Sequence, residues 1–381
     1  MEPRKSPVSS APTSVLALTS TVALIGPLLL GCTSGANTAE GSGTEARPET
    51  GAGSESSLVE VETVAEGLEA PWSIAFYDDT PLISERDSAR ILELGADGET
   101  REVGTVSGVA AGGEGGLLGI AVLDRRLYAY STTDGENRVE RYELRGEPGS
   151  LSLGPGETLL DGIPSASFHN GGRIAFGPDG MLYVTSGDAG DRASAQNVES
   201  LSGKILRVTP EGEIPPDNPF PGSPVYSYGH RNPQGIAWAE DRTMYASEFG
   251  QDTWDELNVI EAGGNYGWPE VEGAADRAGF VDPVQQWAPD EASPSGIATT
   301  GGTVMIANLR GERLRVVPLE GEDSDQADPL IGEHLVGEYG RLRDAVIAPD
   351  GSLWVLTNNT DGRGDPSAGD DRVLRILRAS D

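Results

Sequence analysis

The chain is predicted to be all-β, built as a six-bladed β-propeller, on three observations. One short apolar phrase recurs six times: Ser73-Ile74-Ala75-Phe76, Gly119-Ile120-Ala121-Val122, Arg173-Ile174-Ala175-Phe176, Gly235-Ile236-Ala237-Trp238, Gly296-Ile297-Ala298-Thr299 and Ala345-Val346-Ile347. The copies lie roughly 45–60 residues apart, the length of a propeller blade. Helical signals are nearly absent, with 52 Gly, 26 Pro and no long stretch of 3.6-residue period. A β-sandwich would not explain six similar units.

Residues 1–31 read as a lipoprotein signal peptide. Arg4 and Lys5 precede an apolar stretch from Val15 to Leu30, short for a membrane span, and Leu29-Leu30-Gly31-Cys32 resembles a bacterial lipobox. Lipidation of Cys32 would explain one cysteine without a disulfide partner and would anchor an exported protein to the outer face of the plasma membrane. Residues 32–57, rich in Gly, Ser, Thr, Ala and Glu, cannot bury a core and read as a flexible tether. Residues 58–381 are the propeller domain. The net charge of -34 excludes nucleic acid as a partner, because binding it needs a basic footprint.

Within the propeller, each marker phrase is followed by a polar turn and a second apolar run, such as Leu127-Tyr128-Ala129-Tyr130 or Leu353-Trp354-Val355-Leu356. Third strands alternate apolar with charged residues at Arg90–Leu94, Arg138–Tyr142, Lys204–Val208, Arg313–Val317 and Arg372–Ile376. Function in such a fold sits in the loops at one end of the axis. The loop Gly112–Gly119 carries Glu114 into the second marker. His169-Asn170-Gly171-Gly172 leads into the third, and Asp188 follows the partner strand of that hairpin, so a carboxylate and an imidazole should meet. Gly229–Gly235 carries Arg231 and Asn232, and Gly340–Asp344 carries Arg341 and Arg343. Residues 248–268 form a further loop with Gly250, Gln251, Glu256 and Tyr266. One base and several fixed cations at one end suit a polyanionic small ligand. No zinc-ligand spacing, nucleophile elbow or phosphate loop occurs.

From about Leu68 to Arg378 the chain resembles the glucose/sorbosone dehydrogenase family, the soluble glucose and aldose sugar dehydrogenases that use pyrroloquinoline quinone (PQQ). The resemblance rests on Gly115-Gly116-Leu117-Leu118-Gly119, His169-x-Gly171-Gly172-Arg173, Gly187-Asp188, Ser202–Arg207, Gly229–Gly235, Asn265–Pro269 and Arg341-x-Arg343-Asp344, in family order. It implies PQQ- and calcium-dependent oxidation of an aldose at its C1 hydroxyl to the lactone. His169 would be the base, Asp188 its orienting carboxylate, and Arg231 and Asn232 the contacts to the reactive quinone oxygen. Arg310, Arg341 and Arg343 would hold carboxylates, and Glu114 stands where the glucose enzymes place a Gln in contact with PQQ. The carbonyls of Gly250 and Gln251 would bind the cofactor's calcium, and Glu256 with Tyr266 match a second calcium site. An acid at position 114 would need a partner such as Arg231. Phe168 is a second departure, where the glucose enzymes have Asp. Implied partners are an aldose and a small redox carrier or quinone as electron acceptor. A lactonase-type propeller hydrolase and a non-catalytic sugar-binding propeller are the alternatives.

Overall fold

The computed structural model describes residues 59–319 and 331–378. The predicted signal peptide and tether lie outside the described residues. Six four-stranded antiparallel sheets form the fold. The innermost strands are β2 (Pro71–Tyr77), β6 (Leu117–Leu123), β10 (Ile174–Phe176), β14 (Pro233–Trp238), β18 (Pro294–Thr300) and β22 (Leu342–Ile347). Each packs beside the innermost strand of the next blade, and β22 returns to β2, which closes a six-bladed ring. All six marker phrases fall on these strands, with Arg173 one residue ahead of β10.

The second strands are β3 (Thr80–Glu85), β7 (Arg126–Thr132), β11 (Leu182–Ser186), β15 (Met244–Glu248), β19 (Thr303–Asn308) and β23 (Leu353–Thr357). The third are β4 (Arg90–Leu94), β8 (Glu136–Arg145), β12 (Lys204–Val208), β16 (Asp255–Ile260), β20 (Arg313–Pro318) and β24 (Val373–Arg378). β16 is a correction: it lies inside 248–268, which the sequence reading treats wholly as loop. Its first residues are the buried acids Asp255 and Glu256, which disguise the apolar pattern of a strand. The last blade takes its outermost strand from the N-terminal side of the domain, where β1 (Val59–Ala65) pairs with β24 and Val61 lies opposite Ile376. This closure ties the two ends of the ring by backbone hydrogen bonds.

Six apolar clusters hold the ring, one at each junction between blades. Leu82 and Ile91 of the first blade meet Leu127 and Leu144 of the second, for example. Because both faces of a blade are covered, the second strands are buried along nearly their whole length. Truncating a fully buried side chain such as Leu127 to Ala should cost about 2–5 kcal/mol.

Candidate active site

Two kinds of loop reach the same end of an antiparallel meander: those leading into the innermost strands, and those joining second strands to third. Glu114, His169, Arg231, Asn232 and Arg341 come from the first kind, with Arg343 just inside β22. Arg86, Gly250, Gln251, Arg310, Asp361 and Arg363 come from the second kind. Together with Trp72 and Gln234 they line one cavity of about 310 Å³. The predicted convergence is therefore present, and Arg310 joins it.

His169 and Asp188 meet as the hairpin geometry requires, with Nδ1 2.8 Å from Oδ1. Asp188 is buried. Burial raises its pKa, but the bonds from His169, the Gly190 amide and the Trp268 indole outweigh burial and hold the carboxyl below its usual value. An ionised carboxylate only accepts, so Nδ1 carries the hydrogen and Nε2 is the basic nitrogen. His169 lines the cavity. Its backbone lies in the left-handed region at φ 58°, a conformation unusual outside glycine. The Glu114 side chain holds it there by accepting the His169 amide at 2.8 Å. The other Glu114 oxygen pairs with Arg363 at 2.8 Å. The acid thus has the partner that physics demands, although it is Arg363 of the last blade and not Arg231.

Among the described residues, six arginines and three carboxylates line the cavity, an excess of positive charge in a protein of net charge -34. Arg341 and Arg343 share one anion, Asp361, at 3.0 and 3.5 Å. Arg343 is further held by Asn358 Oδ1 and by Gln234 Oε1. Burial pushes its guanidinium down to about 9, and Arg341, Arg86 and Arg173 add like-charge repulsion against the pull of Asp361. Burial likewise lowers the Arg231 guanidinium. Nε of Arg231 and Nε of Arg341 are buried without a hydrogen-bond partner in the protein. Such undercompensated, partly unsatisfied cations fit a ligand bearing several carboxylates, as PQQ does. Asn232 is fixed for the same site: its amide donates to Glu248 Oε1, and its Oδ1 accepts from the Gly171 amide.

The predicted calcium ligands fall in two places. Gly250 and Gln251 lie on the cavity wall. Their amides are used, by Asp255 Oδ1 and Glu272 Oε1, so the loop is pinned with its backbone at the cavity. Glu256 and Tyr266 lie behind that wall, beside Glu248 and Glu272. Burial and then the neighbouring Glu248 push the Glu256 carboxyl up to about 8. The Tyr266 hydroxyl is committed, donating to the Val259 carbonyl and accepting the Glu261 amide. Among the described residues no three His, Cys, Asp or Glu side chains form a metal cage. The predicted donors are all oxygens of carbonyls, a carboxylate and a tyrosine, the donor type that calcium takes.

Sequence reasoning missed Arg86, Asp361, Arg363, Asp255 and Trp72 of this cavity. All but Trp72 follow a second strand or begin a third, so the rule that found Asp188 could have found them in the other blades. It also left His230 without a role. His230 is fully buried, with Nδ1 2.7 Å from Glu248 Oε2, Nε2 2.8 Å from Ser227 Oγ, and its ring stacked on Tyr266 at 4.6 Å. Glu248 in turn accepts the amides of Arg231 and Asn232, so this second pair fixes the loop that presents them.

The family model described as Glucose / Sorbosone dehydrogenase matches residues 68–375. The chain is similar to the solved PQQ-bound form of aldose sugar dehydrogenase from Streptomyces coelicolor, at 52% identity and a TM-score of 0.79, covering 84% of this chain and 98% of that one. It is 30% identical to an aldose sugar dehydrogenase of Escherichia coli strain K12, over 80% of this chain and 91% of that protein. It is also 32% identical to quinoprotein glucose dehydrogenase B of Acinetobacter calcoaceticus, over 57% of this chain and 54% of that protein.

Proposed function

The chain belongs to the glucose/sorbosone dehydrogenase family, and from that premise we propose that it oxidises the C1 hydroxyl of an aldose sugar to the lactone, with PQQ and calcium held in the arginine-lined cavity. The observation that carries this reading is the cavity itself: a histidine oriented by an ionised aspartate shares it with six arginines, of which Arg86, Arg341 and Arg343 are buried and Arg231 and Arg341 each keep an unpaired Nε.

Bound there, PQQ supplies the hydride acceptor, and calcium supplies Lewis-acid polarisation. The protein's own residues do the rest. Arg310, Arg341 and Arg343 would hold the cofactor carboxylates, while Arg231 and Asn232 would contact its reactive oxygen. The Gly250 and Gln251 carbonyls would ligate the calcium, and Glu256 would serve the second ion, the Tyr266 hydroxyl being taken by the Val259 carbonyl and the Glu261 amide. His169 Nε2 takes the proton of the sugar hydroxyl as the hydride leaves C1. Asp188 keeps Nδ1 protonated and stabilises the imidazolium that forms. General-base help of this kind is worth roughly a hundred- to ten-thousand-fold in rate. The electron acceptor for the overall oxidation would be a small redox carrier or quinone. Cys32 anchors the exported protein to the membrane by a lipid, and Cys32→Ser should release it.

The test is to add PQQ and calcium to purified apoprotein and follow dye reduction across an aldose panel. Activity should appear with both and vanish on chelation. Chelation should also lower the melting temperature, since a ligand of the native state stabilises it. No dye reduction with any aldose would overturn the assignment, and an unchanged melting curve on chelation would overturn the calcium sites.

A further inference from the structure

We propose that Trp268 is a positioning residue that ties the base to the cofactor contact: its indole N–H fixes Asp188 while its ring lies against Arg231. The inference rests on the reading of His169 as the base.

Three loops of two neighbouring blades meet at this side chain. Asp188 follows β11, Arg231 precedes β14, and Trp268 lies in the segment after β16. Trp268 Nε1 donates to Asp188 Oδ2 at 2.9 Å. The other carboxylate oxygen, Oδ1, faces His169 Nδ1 and takes the Gly190 amide at 2.8 Å. The indole is thus the donor that holds Oδ2, and with it the plane of the carboxylate that orients His169. The same ring has the guanidinium carbon of Arg231 5.4 Å from its centroid and that of Arg192 at 4.4 Å, within the range of cation–π attraction. Arg231 Nε has no hydrogen-bond partner in the protein, so the aromatic ring is one of few groups that steady this cation. Trp268 is itself locked. Its amide donates to the Gly229 carbonyl at 2.8 Å, and its carbonyl accepts from Gln196 Nε2 at 2.7 Å. Gly229 precedes the loop bearing Arg231, and Gln196 ends the 3-10 turn Arg192–Gln196 that carries Arg192. A residue that only filled the core would need none of this directionality.

The chemistry has a sign. A carboxylate that gives up a hydrogen bond becomes a stronger acceptor for its remaining partners. Removing the indole N–H should therefore strengthen the hold of Asp188 on protonated His169 and move the His169 titration to higher pH. The other charged groups near the pair are Arg231, beside Asp188, and Glu114 with its partner Arg363, at the His169 amide. The substitution leaves all of them in place.

The experiment is NMR on the apoprotein followed by kinetics on the reconstituted enzyme. The chain has only three histidines, so the imidazole signals are few, and His169→Gln assigns the relevant one. Trp268→Phe keeps an aromatic ring and removes the N–H. Its His169 signals should titrate higher by roughly half a pH unit, the scale of one lost neutral hydrogen bond to a carboxylate. With PQQ and calcium bound, kcat should fall about tenfold with KM for the sugar little changed, and the acid limb of the pH profile should move with the imidazole. A folded Trp268→Phe protein with an unmoved His169 titration overturns the proposal. Should that variant not fold, Asp188→Asn decides: one of the six tryptophan indole N–H signals should shift, and six unmoved signals overturn the proposal. Both NMR arms stand whether or not the wild type oxidises a sugar, so failure of the dehydrogenase reading is told apart from failure of this one.

Discussion

Two histidine–carboxylate pairs stand in neighbouring blades, and they differ in what their second nitrogen meets. His169 and His230 each place Nδ1 within 2.8 Å of a carboxylate. His230 then spends Nε2 on Ser227 Oγ, at 2.8 Å, under a stacked tyrosine. His169 keeps 15% of its side chain exposed and lines the cavity. A carboxylate fixes the tautomer of the imidazole in either place, but only an imidazole whose second nitrogen reaches substrate can act as a base. The first pair is therefore chemical machinery and the second is a bracket, whose carboxylate grips the backbone of Arg231 and Asn232.

The sharpest way to break this contrast is to remove each imidazole in turn. His169→Gln should lower turnover at least ~100-fold with PQQ binding intact, the lower end for general-base catalysis. His230→Gln should leave the chemical step within about tenfold of wild type and act on stability, since a buried partner left unsatisfied costs about 1–3 kcal/mol. Steady-state kinetics with saturating cofactor, beside thermal melts, separate the two outcomes. Equal losses of turnover would erase the distinction.

Next in size is the arginine clamp of the last blade, held by Asp361 and Asn358 and by neither histidine pair. Arg341→Ala and Arg343→Ala should each weaken PQQ binding by about 1.5–3 kcal/mol, the range for charged hydrogen bonds. A fluorescence titration of apoprotein reads this directly, and normal reconstitution by the double variant would place the cofactor elsewhere. Asp188→Asn should be milder than His169→Gln, since it removes the orienting charge and leaves the base. Single-turnover rates rank the two variants.

The smallest expected effect is on stability at acid pH. Asp188 is held below the usual 3.8 in the folded protein. Its stabilising contribution is therefore fully present above that value and is lost as pH falls through the lower folded value. Wild type should lose melting temperature faster than Asp188→Asn below about pH 4. Parallel curves would mean that the carboxylate is no better placed folded than unfolded.

How far sequence reached into this site follows from what each residue type must do. The six innermost strands were legible because a propeller axis needs small apolar residues at a repeated position, as at Ala75, Ala175 and Ala298. The outermost strands were not. β5 (Thr100–Thr105) is polar and half-exposed, and β17 (Gln285–Trp287) and β21 (Gly332–His334) are three residues long, so neither apolar alternation nor length marks them. The closure by β1 pairs residues from opposite ends of the domain, which no local pattern announces. His169, Asp188, Arg231 and the Arg341–Arg343 pair were legible because each sits beside glycine turns at a strand end. Arg86 lies in a loop without such punctuation, Asp361 and Arg363 flank Gly362 in a long loop that precedes no marker strand, and Glu114 could not reveal that its partner comes from the last blade. Trp268 was visible as part of a motif, but its contact with Asp188 depends on how the third and fourth blades pack.

The most direct test omits any external acceptor. PQQ- and calcium-loaded protein is mixed anaerobically with an aldose, and cofactor absorbance is followed through one turnover. Wild type should show full reduction of the bound cofactor within the mixing experiment, His230→Gln should follow at a similar rate, and His169→Gln should hold the cofactor oxidised at least ~100-fold longer. Reduction in His169→Gln at the wild-type rate would contradict the assignment of the exposed imidazole as the base.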